Sequence, residues 1–213
     1  TICKSHLYQM ESAAAVNSPN QVKDPDNVNL WRMNTRRMEY ELIRDSLLHA
    51  AQRLDLTLYG PPLPTPEAEL VTGVRRTLYY RHARDDKIRM SRQFDDPSVE
   101  ECYRRHETIV PQQSLVMANS EFVKLQVSAL SKNLTKQIEG IADSEANAEF
   151  LDRAFHAVLG RPPSDAELDV SKSAIDRLVE QLSATNDSRA AIDVAREHFV
   201  HILFMHNDFV TIR

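Results

Sequence analysis

Apolar side chains that return every three and four residues beyond Pro111 constrain this chain more than any other feature. Phe122, Val123, Val127, Leu130, Leu134 and Ile138 put one stripe on a helix that opens near Asn119-Ser120 and ends at Gly140. Phe150, Leu151, Ala154, Phe155, Val158 and Leu159 form the next, stopped by Gly160-Arg161-Pro162-Pro163. Ser164-Asp165-Ala166-Glu167 reads as a capping box, in which serine and glutamate satisfy each other's orphan amides. It opens a helix with Leu168, Ile175, Leu178, Val179 and Leu182 inward. Ala191, Val194, Ala195, His198, Ile202 and Met205 mark the last, which yields to Asn207-Asp208 and Phe209-Val210-Thr211-Ile212. A stripe is stable only when buried against another, so these predict an antiparallel helical assembly over 111–213. No repeat of roughly 20 to 50 residues turns it into a solenoid.

The first half carries weaker signals. Residues 1–30 read as an irregular connecting segment, because 11–29 is rich in Ala, Ser, Asn, Asp and Pro and has no apolar period. The stretch 31–110 reads as a first helical part. From Trp31 to Leu54 the pattern is helical, with Met38, Leu42, Leu47 or Leu48, Ala51 and Leu54 on one side and an end near Tyr59-Gly60-Pro61-Pro62. Thr65-Pro66-Glu67 offers a short helix start. Arg75 to His82 is rich in β-formers and predicts an extended segment, at most a short β segment near 76–82. Lys87 to Phe94 reads as a short helix, and Ser98-Val99-Glu100-Glu101 as another capping box. The expected class is mainly α, with long irregular connections.

Composition removes several chemistries. Four glycines, at 60, 73, 140 and 160, leave no glycine-rich loop to cradle a phosphate, so nucleotide-binding fingerprints are absent. Three of them, Gly60, Gly140 and Gly160, fall at predicted helix ends. Twenty-six basic against thirty-one acidic side chains give a net charge of -5, which argues against nucleic acid as a partner. No run approaches the roughly 18 to 20 apolar residues of a membrane span. Cys3 and Cys102 lie in no Cys-x-x-Cys pair, so zinc-ribbon, thioredoxin-like and c-type haem attachment readings fail within this segment.

Four clusters could carry chemistry. Arg36 to Asp45 is dense in charge, with Arg37, Glu41 and Asp45 spaced four apart and Arg44 three after Glu41. Buried, such a cluster shifts a carboxylate toward acid–base work, which makes Glu41 and Asp45 the catalytic candidates; a structural ion network and a solvated face are the alternatives. Arg75, Arg76, Arg81 and Arg84, interleaved with Tyr79 and Tyr80, suggest a stacking surface for an anionic glycan or a single strand, interrupted by Asp85 and Asp86. Cys102-Tyr103-Arg104-Arg105-His106 sets a thiol among cations, as a reactive or a merely structural cysteine. The binding candidates are Arg37, Arg44, Arg76, Tyr80, Arg104 and Arg105. His198 and His201, three apart with Glu197 beside them, are a weak alternative to no metal site at all, since a hydrogen-bonded core histidine is commoner than a ligand.

The same segments carry a resemblance. Lys23-Asp24-Pro25-Asp26-Asn27, Leu30-Trp31-Arg32-Met33-Asn34, Arg44-Asp45-Ser46-Leu47-Leu48 and Leu54-Asp55-Leu56 resemble the planctomycete-type C-terminal domain of unknown function DUF1553. Arg75 to His82, Phe94-Asp95, Glu101 to Arg105, Val110-Pro111-Gln112-Gln113 with Ala118-Asn119-Ser120, Leu159 to Pro163, and His206 to Val210 continue it in order. The resemblance implies one family domain lacking its N-terminal part, within a large exported bacterial protein, periplasmic or at the cell surface. It implies other domains of the same parent chain as partners, often a cytochrome c domain, so that any haem c would sit elsewhere in the parent. It assigns no catalytic residue. The expected function is therefore an auxiliary, ligand-binding or assembly domain. The alternatives are part of a hydrolase acting on complex polysaccharide, or an accessory domain of a cytochrome c-containing redox protein.

Overall fold

The computed structural model describes residues 2–12, 18–63, 73–81, 83, 88, 90–94, 108–183 and 188–212, with the side chains of 143, 144 and 188 left out. The helix start at Thr65-Pro66-Glu67 and the capping box at Ser98 to Glu101 lie outside these residues. Two units divide the chain, one of Thr1–Met38 with Val210–Arg213 and one of Glu39–Phe209.

In the first unit, the opening part of the helix expected over Trp31 to Leu54 does not form. A loop with its own side-chain scaffold takes its place, between α1 (Pro19–Lys23) and β1 (Arg36–Arg37). The Asp24 carboxylate accepts the Val28 and Asn29 amides at 2.9 and 2.8 Å, and the Asp24 carbonyl accepts Trp31 Nε1 at 2.8 Å. Asn27 is 3% exposed and left-handed (φ 56), a conformation that an asparagine tolerates better than other side chains. Its Nδ2 donates to the Arg32 carbonyl and to Asn34 Oδ1, both at 2.8 Å, and its Oδ1 accepts the Arg32 amide at 3.2 Å. These local bonds outcompete the helical ladder. β1 pairs antiparallel with β2 (Thr211–Ile212), Arg36 opposite Ile212 and Arg37 opposite Thr211.

The second unit opens with α2 (Tyr40–Ala50), much shorter than the periodicity predicts. It ends early because Gln52 turns left-handed (φ 58), Gln52 N–H bonding the His49 carbonyl and Arg53 N–H the Leu48 carbonyl at 2.9 and 2.8 Å, the paired bonds of a Schellman stop. Gly60 is therefore no helix end. It lies at φ +103 in an irregular stretch beside Tyr59, which is itself left-handed at φ 66. The buried face of α2 also differs from expectation: Tyr40, Ile43, Arg44, Leu47 and Leu48 point inward, while Leu42 is 44% exposed. Arg75 to Tyr80 holds a 3-10 turn (Thr77–Tyr79) between two single-residue bridges, Asp55 with Arg75 and Leu63 with Tyr80. Within 87–94 the described helical structure is one 3-10 turn, Ser91–Gln93.

Beyond residue 110 the expected helices form, preceded by one the periodicity did not separate. They are α3 (Pro111–Asn119), α4 (Glu121–Gln137), α5 (Asp143–Leu159), α6 (Asp165–Ser183) and α7 (Ser188–Met205). Among the described residues the protein is mainly α, with β1 and β2 its sole sheet. Gly160 caps α5 in the left-handed conformation (φ 70). The α6 capping box is reciprocal: Ser164 N–H donates to Glu167 Oε2 at 2.8 Å, and Glu167 N–H to Ser164 Oγ at 3.3 Å. α7 packs against α3, α4, α5 and α6. Its inner face is Ala191, Ala195, Phe199, Val200, Leu203 and Phe204, with Phe199 6.1 Å from Phe155 between ring centroids. The stripe expected to face inward holds at Ala191 and Ala195 and then loses phase, since Ile202 and Met205 are 60% and 43% exposed and His198 is exposed.

Candidate functional site

The polar cluster of the second unit is built around Arg44. Helix α2 carries its side chain inward, 1% exposed, between the rings of Tyr80 and Phe122, whose centroids lie 4.7 and 5.1 Å from the guanidinium carbon. Nη1 donates to the Arg75 carbonyl at 2.9 Å and to Thr77 Oγ1 at 3.2 Å; Nη2 donates to the Gly73 carbonyl at 2.8 Å and to the Tyr80 hydroxyl at 3.1 Å. A buried guanidinium that makes four bonds through its two terminal nitrogens holds a turn in place; its planar fork is what lets one side chain serve four acceptors.

Asp45 completes the cluster. Its Oδ1 accepts Thr77 N–H at 2.8 Å and Thr77 Oγ1–H at 2.6 Å, so that Thr77 receives from Arg44 and donates to Asp45. Arg44 Nη1 stands 3.7 Å from Oδ1, and Arg76 Nε 3.7 Å from Oδ2. Burial pushes the neighbouring Tyr40 hydroxyl well above its ordinary range, against the opposing pull of Arg44. Glu41 is half-buried in the first turn of α2, whereas Arg37 belongs to β1 in the other unit. The structure thus brings Asp45, Arg44, Arg76 and Tyr80 together, and Thr77 is the member that sequence reasoning missed. Arg104 and Arg105, with Cys102, lie outside the described residues.

Within the basic and aromatic segment after Gly73, Arg75 and Tyr79 are engaged with their own chain, whereas the Arg76 side chain is 42% exposed and Arg81 is exposed. Arg75 stacks 4.0 Å over Tyr79 and donates through Nη2 to the carbonyls of Tyr59 at 2.6 Å and Thr57 at 3.3 Å, while the Tyr79 hydroxyl accepts the Tyr59 amide at 2.9 Å. Asp55 accepts from Thr57 N–H at 2.9 Å, and these Thr57 bonds hold its carboxyl below the usual range.

A second cluster joins the corner between α5 and α6 to the end of α7. Arg161 Nη2 donates to Glu167 Oε1 at 2.7 Å and to Asp208 Oδ2 at 3.1 Å, and Arg161 Nη1 to Glu167 Oε2 at 2.9 Å. The bidentate arginine lowers the Glu167 carboxyl to about 2 and raises Arg161. The capping box marks Glu167 in the sequence; nothing local marks Asp208.

On α7, His201 Nε2 lies 3.1 Å from the Met117 carbonyl, Glu197 reaches Ser128 at 3.5 Å and His198 faces outward. Among the described residues no three His, Cys, Asp or Glu side chains are grouped to hold a metal ion, and no helix is long and apolar enough to cross a membrane.

The segments joined by these clusters are the ones that carry the resemblance. Arg44-Asp45 meets Arg75 to Tyr80, and Asp24 to Asn27 meets Trp31 to Asn34. Neither a curated protein nor a solved structure matches the chain. The model of the family described as PSD1, protein of unknown function (DUF1553), matches residues 1–175, which includes both of those pairings and stops within α6. With most of its length covered by that match, the chain belongs to the DUF1553 family.

Proposed function

We propose that this chain is an auxiliary domain that supports assembly or ligand binding in a large, exported bacterial multidomain protein, with any haem c and any catalytic centre carried by other domains. The observation that carries the reading is that Arg44 and Asp45 Oδ1 are taken up by bonds within the chain. An acid–base carboxylate needs an open approach and a proton affinity tuned to its task. Asp45 Oδ1 instead receives two bonds from Thr77, itself 6% exposed, and the adjacent cation is 1% exposed. Arg44 and Asp45 therefore act as ties between distant chain segments, the behaviour of a scaffold.

The test is made in the intact parent protein with Glu41→Gln and Asp45→Asn. Reducing-end release from a panel of polysaccharides is measured beside the melting temperature. The auxiliary reading expects either no release by the parent, or release per folded molecule unchanged by either variant. Loss of release at an unchanged melting temperature would make this a hydrolase site instead. Fractionation of producing cells checks the location, and a parent confined to the cytosol contradicts export.

A further inference from the structure

The turn that follows α7 holds a titratable side chain that neither polar cluster uses. His206 comes directly after Met205, and its side chain is 44% exposed. Its amide bonds the Leu203 carbonyl and its carbonyl accepts the Phe209 amide, both at 3.1 Å, so the backbone turns here. The ring closes the same turn a second time: Asp208 N–H donates to His206 Nδ1 at 3.1 Å. A ring nitrogen that accepts an amide proton carries none of its own. This bond therefore fixes the neutral imidazole with its proton on Nε2.

The same nitrogen has a second partner within reach. Asp208 Oδ1 stands 3.5 Å from Nδ1, and a carboxylate oxygen only accepts. The neutral ring turns a lone pair toward it and makes no bond; a protonated ring offers N–H. One proton thus removes the acceptor of the Asp208 amide and creates a donor for the Asp208 carboxylate. The released amide lies in an exposed turn, where water replaces the lost acceptor at little cost. The carboxylate is already positioned, 9% exposed at its side chain, with Oδ2 held by Arg161 Nη2 at 3.1 Å.

The surrounding charges accommodate the added one. Asp208 faces the ring from its own turn, Arg161 reaches Asp208 from the turn between α5 and α6, and Glu167 joins through Arg161 from the first turn of α6. These three bring one positive and two negative charges, so a proton on the ring makes the group of four neutral. Histidine is the side chain whose charge ordinarily changes between about pH 8 and pH 5.

We propose that His206 is a proton-operated switch at the end of α7: neutral, it accepts the Asp208 amide and closes the turn; protonated, it releases that amide and donates to Asp208 Oδ1. The Asp208 carboxylate is then shared between His206 and Arg161. The inference stands apart from the auxiliary role and applies equally to a catalytic domain.

The experiment is nuclear magnetic resonance of the whole 213-residue chain, isotope-labelled and titrated from about pH 8 to about pH 5. At the alkaline end the ring nitrogens should show a bare Nδ1 and a protonated Nε2, and the Asp208 amide proton should lie downfield, as a bonded amide does. As the His206 ring gains its proton, that amide should move upfield along the same curve, and the Asp208 carboxyl carbon should shift with it. His206→Asn keeps a side-chain acceptor in the turn and cannot titrate, so its Asp208 amide should stay downfield throughout. A neutral ring protonated on Nδ1 overturns the proposal, as does an Asp208 amide that ignores the ring. A carboxyl carbon that stays still while the ring titrates overturns the transfer to Oδ1. An amide that moves in His206→Asn as it does in wild type assigns the effect to another group and overturns the switch. The wild-type titration alone decides the first three outcomes, whatever the variant does to folding.

Discussion

Arg161 and Asp208, forty-seven residues apart, meet at 3.1 Å, so the turn after α5 and the end of α7 are tied by one ion pair. Asp208 is 9% exposed at its side chain and Arg161 37%, so the acidic half of the tie is mostly withdrawn from water. The same guanidinium also grips Glu167, so this corner holds a carboxylate whose contribution to stability is lost in acid.

The pH dependence follows from Glu167. Its carboxyl is held at about 2, below the ordinary 4.5, first by the Arg161 hydrogen bonds and then by those from Ser164. A carboxylate depressed on folding stabilises the protein above the unfolded value, and that contribution fades as pH falls from about 4.5 through about 2. With Glu167 one-third exposed, solvent screening leaves roughly 1 kcal/mol at neutral pH. Glu167→Gln should therefore be less stable than wild type in urea at pH 7, and the two curves should converge near pH 2. A gap that stays constant between pH 7 and pH 2 contradicts the assignment.

Replacing Arg44 by Met keeps the aliphatic bulk between Tyr80 and Phe122 and removes every donor. The carbonyls of Gly73 and Arg75, with Thr77 Oγ1 and the Tyr80 hydroxyl, then lose their shared partner. Arg44→Met should cost about 3 kcal/mol or more, read from urea unfolding. Arg44→Lys should recover only part of it, because one ammonium cannot reach all four acceptors. A loss below about 1 kcal/mol for Met would mean that the cluster contributes little net stability.

Gln52 offers a change in the opposite direction. It is exposed and left-handed at φ 58, the position after the α2 cap where glycine has no side-chain penalty. Gln52→Gly should raise stability by roughly 0.5 to 1 kcal/mol despite the looser unfolded chain. A lower denaturation midpoint for the glycine variant would refute this account of the helix stop.

What could be read from sequence divides along these same residues. The Ser164–Glu167 box was legible because both partners lie within one turn. Arg44 looked like a member of a helical charge run, yet its acceptors stand 29 to 36 residues away on a segment with no pattern of its own. The register of α7 was ambiguous for another reason. Ile202 and Met205 repeat with helical spacing as well as Phe199 and Leu203 do, and spacing cannot tell an inner stripe from an outer one when both are apolar. In the first unit, the helical periodicity after Trp31 was real but lost to the side-chain bonds of Asp24 and Asn27, which periodicity does not weigh.

That loop supports the last prediction. Asn27 makes three side-chain bonds from a left-handed backbone while 3% exposed, so Ala at this position removes the bonds and keeps the strain. Asp retains the acceptor for the Arg32 amide but loses the two donations from Nδ2. The chain has a single tryptophan, Trp31, whose indole donates to the Asp24 carbonyl in the same loop. Its fluorescence therefore reports on this loop alone. Asn27→Ala should shift Trp31 emission to the red and raise amide exchange over 24–34, at a local cost of about 2 kcal/mol, with Asn27→Asp intermediate. Because the bonds are confined to this loop, far-ultraviolet helix content should stay near wild type. An Ala variant with unchanged emission and exchange would show that the loop is held by something other than Asn27.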